Sequence, residues 1–308
     1  MMGNTSLILA ELRLLMNSFP KLKLTLSMAI FGSVGFFSQQ TGLPALELVF
    51  VRCICAALFL SLCWVLTGQA KRERYIGREV IQVLACGVFL VLNWVFLFRS
   101  FETMSVTISI SIYHLAPVFV LILGSFLFRE KMTLLAALSI LVCFAGTLFV
   151  IGLDQGLSWR EVWSTGAGWA LLAALFYAGT TLLGKGIDVM SAYLMTVLQT
   201  LLGVFLLLPF VDFGAFHSLT PYNWAYIAAT GLIHTGFVYY LFFDSLRNLS
   251  ARIISALIFV DPAVAILLDT VFTGFRPTLL QVAGIVLIFA GMAGSLWKPQ
   301  SKQDYLSS

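Results

Sequence analysis

The chain has 308 residues, of which 60% are hydrophobic and only 10% charged, whereas an ordinary soluble domain carries about 25% charged residues. So little charge cannot clothe a soluble surface, which excludes a water-soluble globular protein and requires lipid over much of the exterior. The net charge of +4 reflects membrane topology, as the distribution of Lys and Arg below makes plain.

In residues 1–21, Ile8, Leu12, Leu15 and Phe19 recur at helical spacing, which predicts a short amphipathic helix on the cytoplasmic membrane surface. The same stretch lacks the long apolar run and small-residue cleavage site of a signal peptide. A spanning helix needs roughly 20 mostly apolar residues. Ten such runs follow, at 22–39, 46–67, 78–98, 105–128, 133–151, 166–185, 190–211, 222–246, 252–273 and 278–297. These are spans 1 to 10 below. Connections are short apart from 68–77 and 152–165, and the tail 298–308 is polar. The five cysteines all lie in apolar runs without a CxxC pair and read as small buried hydrophobes.

With both termini in the cytoplasm, the cytoplasmic segments hold Lys21, Lys23, Lys71, Arg72, Arg74, Arg129, Lys131, Arg247 and Lys298 among others, while the outer segments hold only Arg99, Arg160 and Arg276. That bias follows the positive-inside rule. A miscounted span would invert every later loop and destroy it.

The chain repeats itself at an offset of 145 residues. Pro117 falls on Pro262, Ser100 on Ser245, Thr133-Leu134-Leu135 on Thr278-Leu279-Leu280, and Phe144-Ala145-Gly146 on Phe289-Ala290-Gly291. Each copy holds five spans, an odd number, so the second enters the membrane from the opposite side. The expected architecture is an all-α membrane protein with ten transmembrane helices as two inverted five-helix repeats, at 22–151 and 166–297, joined by an outer loop at 152–165.

The run Asn93-Trp94 through Phe98, then Pro117-Val118, Arg129-Glu130-Lys131-Met132-Thr133 and Ala145-Gly146, resembles the EamA repeat of the drug/metabolite transporter superfamily. Tyr239-Tyr240 through Phe243, Pro262-Ala263, Thr278 and Ala290-Gly291 form the second copy, and Arg52 with Ala56 and Ala57 is also similar to that family. Glu130-Lys131 departs from symmetry, because Phe275-Arg276 stands at the matching point. The resemblance covers about residues 22–297. It implies ten helices with both termini in the cytoplasm. It also implies a central cavity lined by spans 3, 4, 8 and 9 with help from 1 and 6, and transport of small metabolites such as amino acids, commonly outward.

Ionisable groups deep in a membrane cost roughly 2.5–3.5 kcal/mol each on insertion scales and mark candidate sites. Asp261 precedes Pro262 in span 9, where proline removes a backbone donor and frees a carbonyl one turn earlier. His114 lies three residues before the matching Pro117. Two helices broken near the midplane, each with a titratable group, resemble a substrate site, and the shift places His114 and Asp261 at similar depth around one cavity. Asp261 reads as a substrate ligand or as a structural carboxylate tied to a neighbouring helix. His114 reads as a substrate or proton ligand or as a neutral interhelical bond. His234 in span 8 reads as a ligand or as a group satisfied by Asp261 or a backbone carbonyl. Arg52 either holds a substrate carboxylate or ties span 2 into a buried ion pair. Asp269 either lines the outer vestibule or pairs with Arg276. Asn93, Trp94, Tyr113, Tyr177, Gln199, Tyr239 and Tyr240 offer hydrogen bonds and stacking suited to an amphipathic metabolite, but singly each is as well explained as glue between helices. Gly284, Gly291 and Gly294 in span 10 and Ala145-Gly146 in span 5 give small-residue faces for close packing.

No zinc motif, Walker A loop or GxGxxG stretch is present, so no cofactor or metal is expected and ATP-driven pumping is disfavoured. The expected function is a secondary transporter moving a small polar or amphipathic, amino-acid-like metabolite across the bacterial inner membrane by alternating access, outward. The expected partners are that substrate, the bilayer, and a proton or counter-substrate for coupling, with no nucleic acid. The rival readings are an uptake or exchange carrier for a nucleoside-type or cofactor-like metabolite and, from another class, a membrane-embedded enzyme or receptor.

Overall fold

A computed structural model of the chain describes residues 20–128, 134–151, 165–184, 187, 189–246, 249, 257–258 and 260–296. The expected amphipathic segment at 1–21, most of the loop 152–165, the tail and Glu130-Lys131 lie essentially outside them. The described elements are all helical: α1 Pro20–Gln39, α2 Ala45–Leu66, α3 Gly77–Phe101, α4 Val106–Tyr113, α5 Ala116–Phe128, α6 Leu134–Ile151, α7 Ala167–Gly184, α8 Ala192–Leu207, α9 Pro221–Gly231, α10 Val238–Leu246, α11 Val260–Leu268 and α12 Leu279–Leu296. Five stretches are long and apolar enough to cross a membrane: Ala45–Leu66, Gly77–Phe101, Val106–Leu127, Ala167–Gly184 and Tyr193–Phe210. Leu58, Leu66, Ile81, Phe126, Leu134 and Leu279 are all exposed, an apolar exterior that lipid must cover.

Three of the expected runs are interrupted. Span 4 breaks at His114-Leu115, so α5 restarts with Pro117 as its second residue. There the missing N–H of proline costs nothing, because first-turn donors have no partner within the helix. Span 8 carries a π-helical turn, Leu232–Phe237, between α9 and α10. In span 9, α11 starts at Val260, so Asp261 and Pro262 occupy its first turn, and a second π turn, Asp269–Thr273, follows it. Gly274 ends that turn at a φ of 72°, a left-handed conformation that side chains disfavour.

The packing exchanges under the 145-residue shift. α3 packs on α7 while α10, its shifted counterpart, packs on α1. α5 packs on α7 while α11 packs on α1. Two pairs join a helix to its own counterpart, α2 with α8 and α6 with α12. In the second pair a methyl at Gly146 would sit 2.6 Å from the Gly284 carbonyl oxygen, and one at Gly291 would sit 2.7 Å from the Ser139 carbonyl oxygen. Cys143 Sγ donates to the Ile288 carbonyl at 3.4 Å between them. Numbers rise along one helix as they fall along the other, so the counterparts run antiparallel, with glycine removing the side chains that would hold the backbones apart. α2 and α8 do the same: Glu47 accepts from the Asp212 N–H at 3.0 Å, and Cys53 faces Gly203.

Acidic side chains close the open ends of helices. Glu102 Oε1 accepts from the N–H of Ala45, the first residue of α2, at 2.6 Å. Asp269 Oδ2 accepts from Thr107 N–H in the first turn of α4 at 2.9 Å. Glu73 takes the N–H of Ser191 at 2.8 Å and Glu79 that of Met190 at 3.1 Å, both just ahead of α8. Each carboxylate meets helix-end donors that have no partner within their own helix and a dipole of favourable sign.

Candidate functional site

Arg52 points from the middle of α2 and is 3% exposed. Its Nε donates to Thr235 Oγ1 at 3.0 Å. Thr235 sits in the π turn, where its hydroxyl donates in turn to the Thr230 carbonyl, five residues back, at 3.0 Å. The extra residue of the π turn swings Thr235 to meet the guanidinium; π turns often occur at functional positions. Trp94 and Phe98, one helical turn apart on α3, present their rings to the cation, with centroids 5.2 and 4.6 Å from Cζ. Arg52 Nη1 is buried and has no hydrogen-bond partner. Of the two readings of Arg52, the buried ion pair finds no carboxylate among the described residues.

Asp261 lies where α11 presses on α1. Gly32 makes that approach feasible, because a Cβ there would clash with the Asp261 carbonyl oxygen. Asp261 Oδ1 is buried without a partner. Tyr113 and Tyr177 lie within electrostatic range of its carboxylate and touch each other edge-on at 5.6 Å. Asn93 donates to the Ala173 carbonyl at 2.7 Å and to the Tyr113 hydroxyl at 3.3 Å, which fixes that ring. Tyr239 joins the two ends. Its ring lies 6.2 Å from Trp94 and 5.4 Å from Phe31, and it is within electrostatic range of both Arg52 and Tyr177. Arg52, Asn93, Trp94, Tyr113, Tyr177, Tyr239 and Asp261 therefore form one cluster.

The remaining candidates are placed differently. His234 is hydrogen-bonded with Ser33 Oγ at 2.9 Å through Nε2 and with the Ala229 carbonyl at 3.3 Å through Nδ1, and its ring lies on Phe37 at 4.7 Å. A backbone carbonyl and a serine, not Asp261, satisfy it. His114 engages the Ile110 carbonyl at 2.8 Å and turns its ring to Phe289 of α12 at 5.8 Å. It meets the Tyr113 ring edge-on at 6.2 Å, and among the described residues its hydrogen bond goes to the Ile110 carbonyl and not to Asp261. Gln199 packs on Gly87, roughly two turns along α3 from Trp94. The side chain of Tyr240 is outside the described set. Asp269 does not pair with Arg276, which donates to the carbonyls of Thr270 and Phe275.

Thr235, Ser33 and Phe98 were not among the sequence candidates. The spacing of Phe98 from Trp94 was a usable signal, since residues four apart share a helix face. Thr235 and Ser33 come from the opposite half of the chain to Arg52 and His234, which they meet, and leave no local trace.

The model of the EamA-like transporter family matches residues 21–152 and again 164–297. The chain belongs to this family. It is 59% identical over 283 residues to the uncharacterized transporter YxxF of Bacillus subtilis (strain 168), covering 92% of this chain and 91% of that one. A solved crystal structure at 13% identity superposes with a TM-score of 0.62 over 90% of this chain and 95% of the other, a likeness of fold alone. This EamA-like protein is thus a multi-pass membrane transporter with a small-molecule substrate.

Proposed function

We propose that this EamA-like transporter moves a small polar or amphipathic, amino-acid-like metabolite outward across the inner membrane by alternating access. Its frame is ten spans in two inverted repeats with both termini in the cytoplasm. The antiparallel packing of α6 on α12 and of α2 on α8 supports the inversion. The positive-inside bias supports the orientation.

One observation carries the substrate reading. Among the described residues, Glu47, Glu73, Glu79, Glu102, Asp212 and Asp269 all accept from backbone N–H groups. Asp261 alone keeps a buried carboxylate oxygen with no donor, and Arg52 keeps a buried guanidinium nitrogen with no acceptor. An unpaired buried charged group is costly, and such groups inside a membrane mark transport paths. An ammonium on Asp261, a carboxylate on Arg52 and an apolar middle against Tyr113, Tyr177 and Tyr239 would satisfy both ends. Substrate binding then supplies the missing partners. A difference in its affinity for the two states of the carrier is what lets a substrate shift their populations.

The test is metabolite profiling of cells lacking and overexpressing the protein, followed by uptake of the enriched compounds into proteoliposomes. Asp261→Asn and Arg52→Ala are expected to abolish that uptake while leaving monodisperse protein at parental yield. Full uptake by both variants would remove Asp261 and Arg52 from the substrate path.

A further inference from the structure

We propose that Phe98 is the lid between an open cavity and the Arg52 guanidinium, standing in for the substrate's anionic group while the carrier is empty. This rests on the reading of Arg52 as a substrate ligand. A cavity of about 280 Å³ lies among the adjoining ends of α1, α2 and α3, lined by Ser38, Gln39, Leu48, Phe98, Phe101 and Glu102. The bond from Ala45 N–H to Glu102 Oε1 ties the start of α2 to the end of α3, so the two helices run antiparallel. One turn deeper than Leu48 on α2 is Arg52, and one turn deeper than Phe98 on α3 is Trp94. Leu48 and Phe98 thus form the cavity floor, and the cation with its second ring forms the next layer down.

Of the residues lining the cavity, Phe98 is the one whose ring also covers the cation, 4.6 Å from Cζ, and it is 3% exposed. On the cavity side Phe98 also meets Phe101, edge-on at 5.7 Å. A change of Phe98 side-chain rotamer would uncover the guanidinium to the cavity, and that guanidinium still has an unpartnered nitrogen, Nη1. The face of the ring offers the cation partial compensation for lost water. An arriving carboxylate offers a full charge in its place. The ring therefore rests closed on an empty site and yields to an anionic group, so the carrier does not leak when unloaded.

The experiment places the single reporter Thr235→Cys, on the far side of Arg52, in a chain whose five native cysteines are replaced. Modification by the impermeant anion 2-sulfonatoethyl methanethiosulfonate is timed in right-side-out and inside-out vesicles. Phe98→Ala is expected to raise the rate about tenfold or more, as the loss of one desolvated cation–π contact implies, from the cavity face only. Phe98→Tyr should keep the parental rate. Phe98→Leu should accelerate it in the same direction and carries the test if the alanine variant is not monodisperse. An unchanged rate in the smaller variants, or equal acceleration from both faces, overturns the lid. The rates are read without substrate, so they stand apart from the uptake assays that test Arg52 as a ligand.

Discussion

Asp261 and Asp269 sit eight residues apart and are expected to fail in opposite ways when neutralised. Asp269 is 2% exposed, holds Thr107 N–H at 2.9 Å through one oxygen and accepts from Thr273 Oγ1 at 2.7 Å through the other. Asp269→Ala removes a charge-assisted bond of about 1.5–3 kcal/mol and strands a buried N–H at about 1–3 kcal/mol. These overlap, for a net loss of about 3 kcal/mol, or roughly 6 °C at about 2 °C per kcal/mol for a chain of this size. Asp269→Asn keeps an oxygen for Thr107 and should cost about 1 kcal/mol. Asp261→Asn gives up no hydrogen bond at Oδ1 and relieves a buried charge, so its melting midpoint should hold or rise. Midpoints of purified protein in detergent, with uptake expressed per monodisperse molecule, separate the two. Asp269→Ala should melt early yet transport normally per folded molecule, while Asp261→Asn should melt normally and transport nothing. An Asp269→Ala protein with a parental midpoint and no uptake would put Asp269 in the path and refute the assignment of roles.

Arg52→Lys keeps the charge but not the flat guanidinium that both Trp94 and Phe98 face; uptake should fall about tenfold or more at unchanged protein yield, and parental uptake would reduce Arg52 to a simple point charge. Gly146→Leu and Gly291→Leu push on the carbonyls of Gly284 and Ser139, and each should lower folded yield severely, as fluorescence-detected size exclusion would report. Single cysteines at exposed positions of the loop 68–77 should resist an impermeant thiol reagent in intact cells and react in inside-out vesicles; labelling in intact cells would invert the topology.

The helices were legible in the sequence because a membrane fixes both their length and their composition. α2 begins at Ala45 and α12 at Leu279, within a residue of where the apolar runs begin. The break at His114-Leu115 was signalled by Pro117, whose ring cannot sit mid-helix without cost. The π turn at Leu232–Phe237 was not legible, because one extra residue in a turn leaves an all-apolar run looking unchanged. At the site, rarity exposed Arg52 and Asp261, since charge inside a lipid-facing run has few explanations. The hydrogen-bond partners of Arg52 and Asp269 stayed hidden. Thr235 lies 183 residues from Arg52, and the Thr107 N–H that Asp269 caps is 162 residues away, so only the fold brings them together. The sequence shift puts His114 at a depth similar to that of Asp261, yet its ring turns to Phe289, because rotation about the helix axis depends on which neighbour offers a better contact.

The carboxylate that closes α4 also sets an order of manufacture. α2 receives Glu102 from its own half of the chain, so its open end is sealed soon after α3 is synthesised. α4 waits for residue 269, near the far end of the polypeptide, before the Thr107 N–H has an acceptor. Ser105 Oγ caps the Ile108 N–H locally at 3.2 Å, so it is the Thr107 donor alone that goes without this partner until then. The second half of the polypeptide thus supplies the acceptor for a buried donor in the first, and the two halves are bound to each other by a helix end as well as by apolar packing.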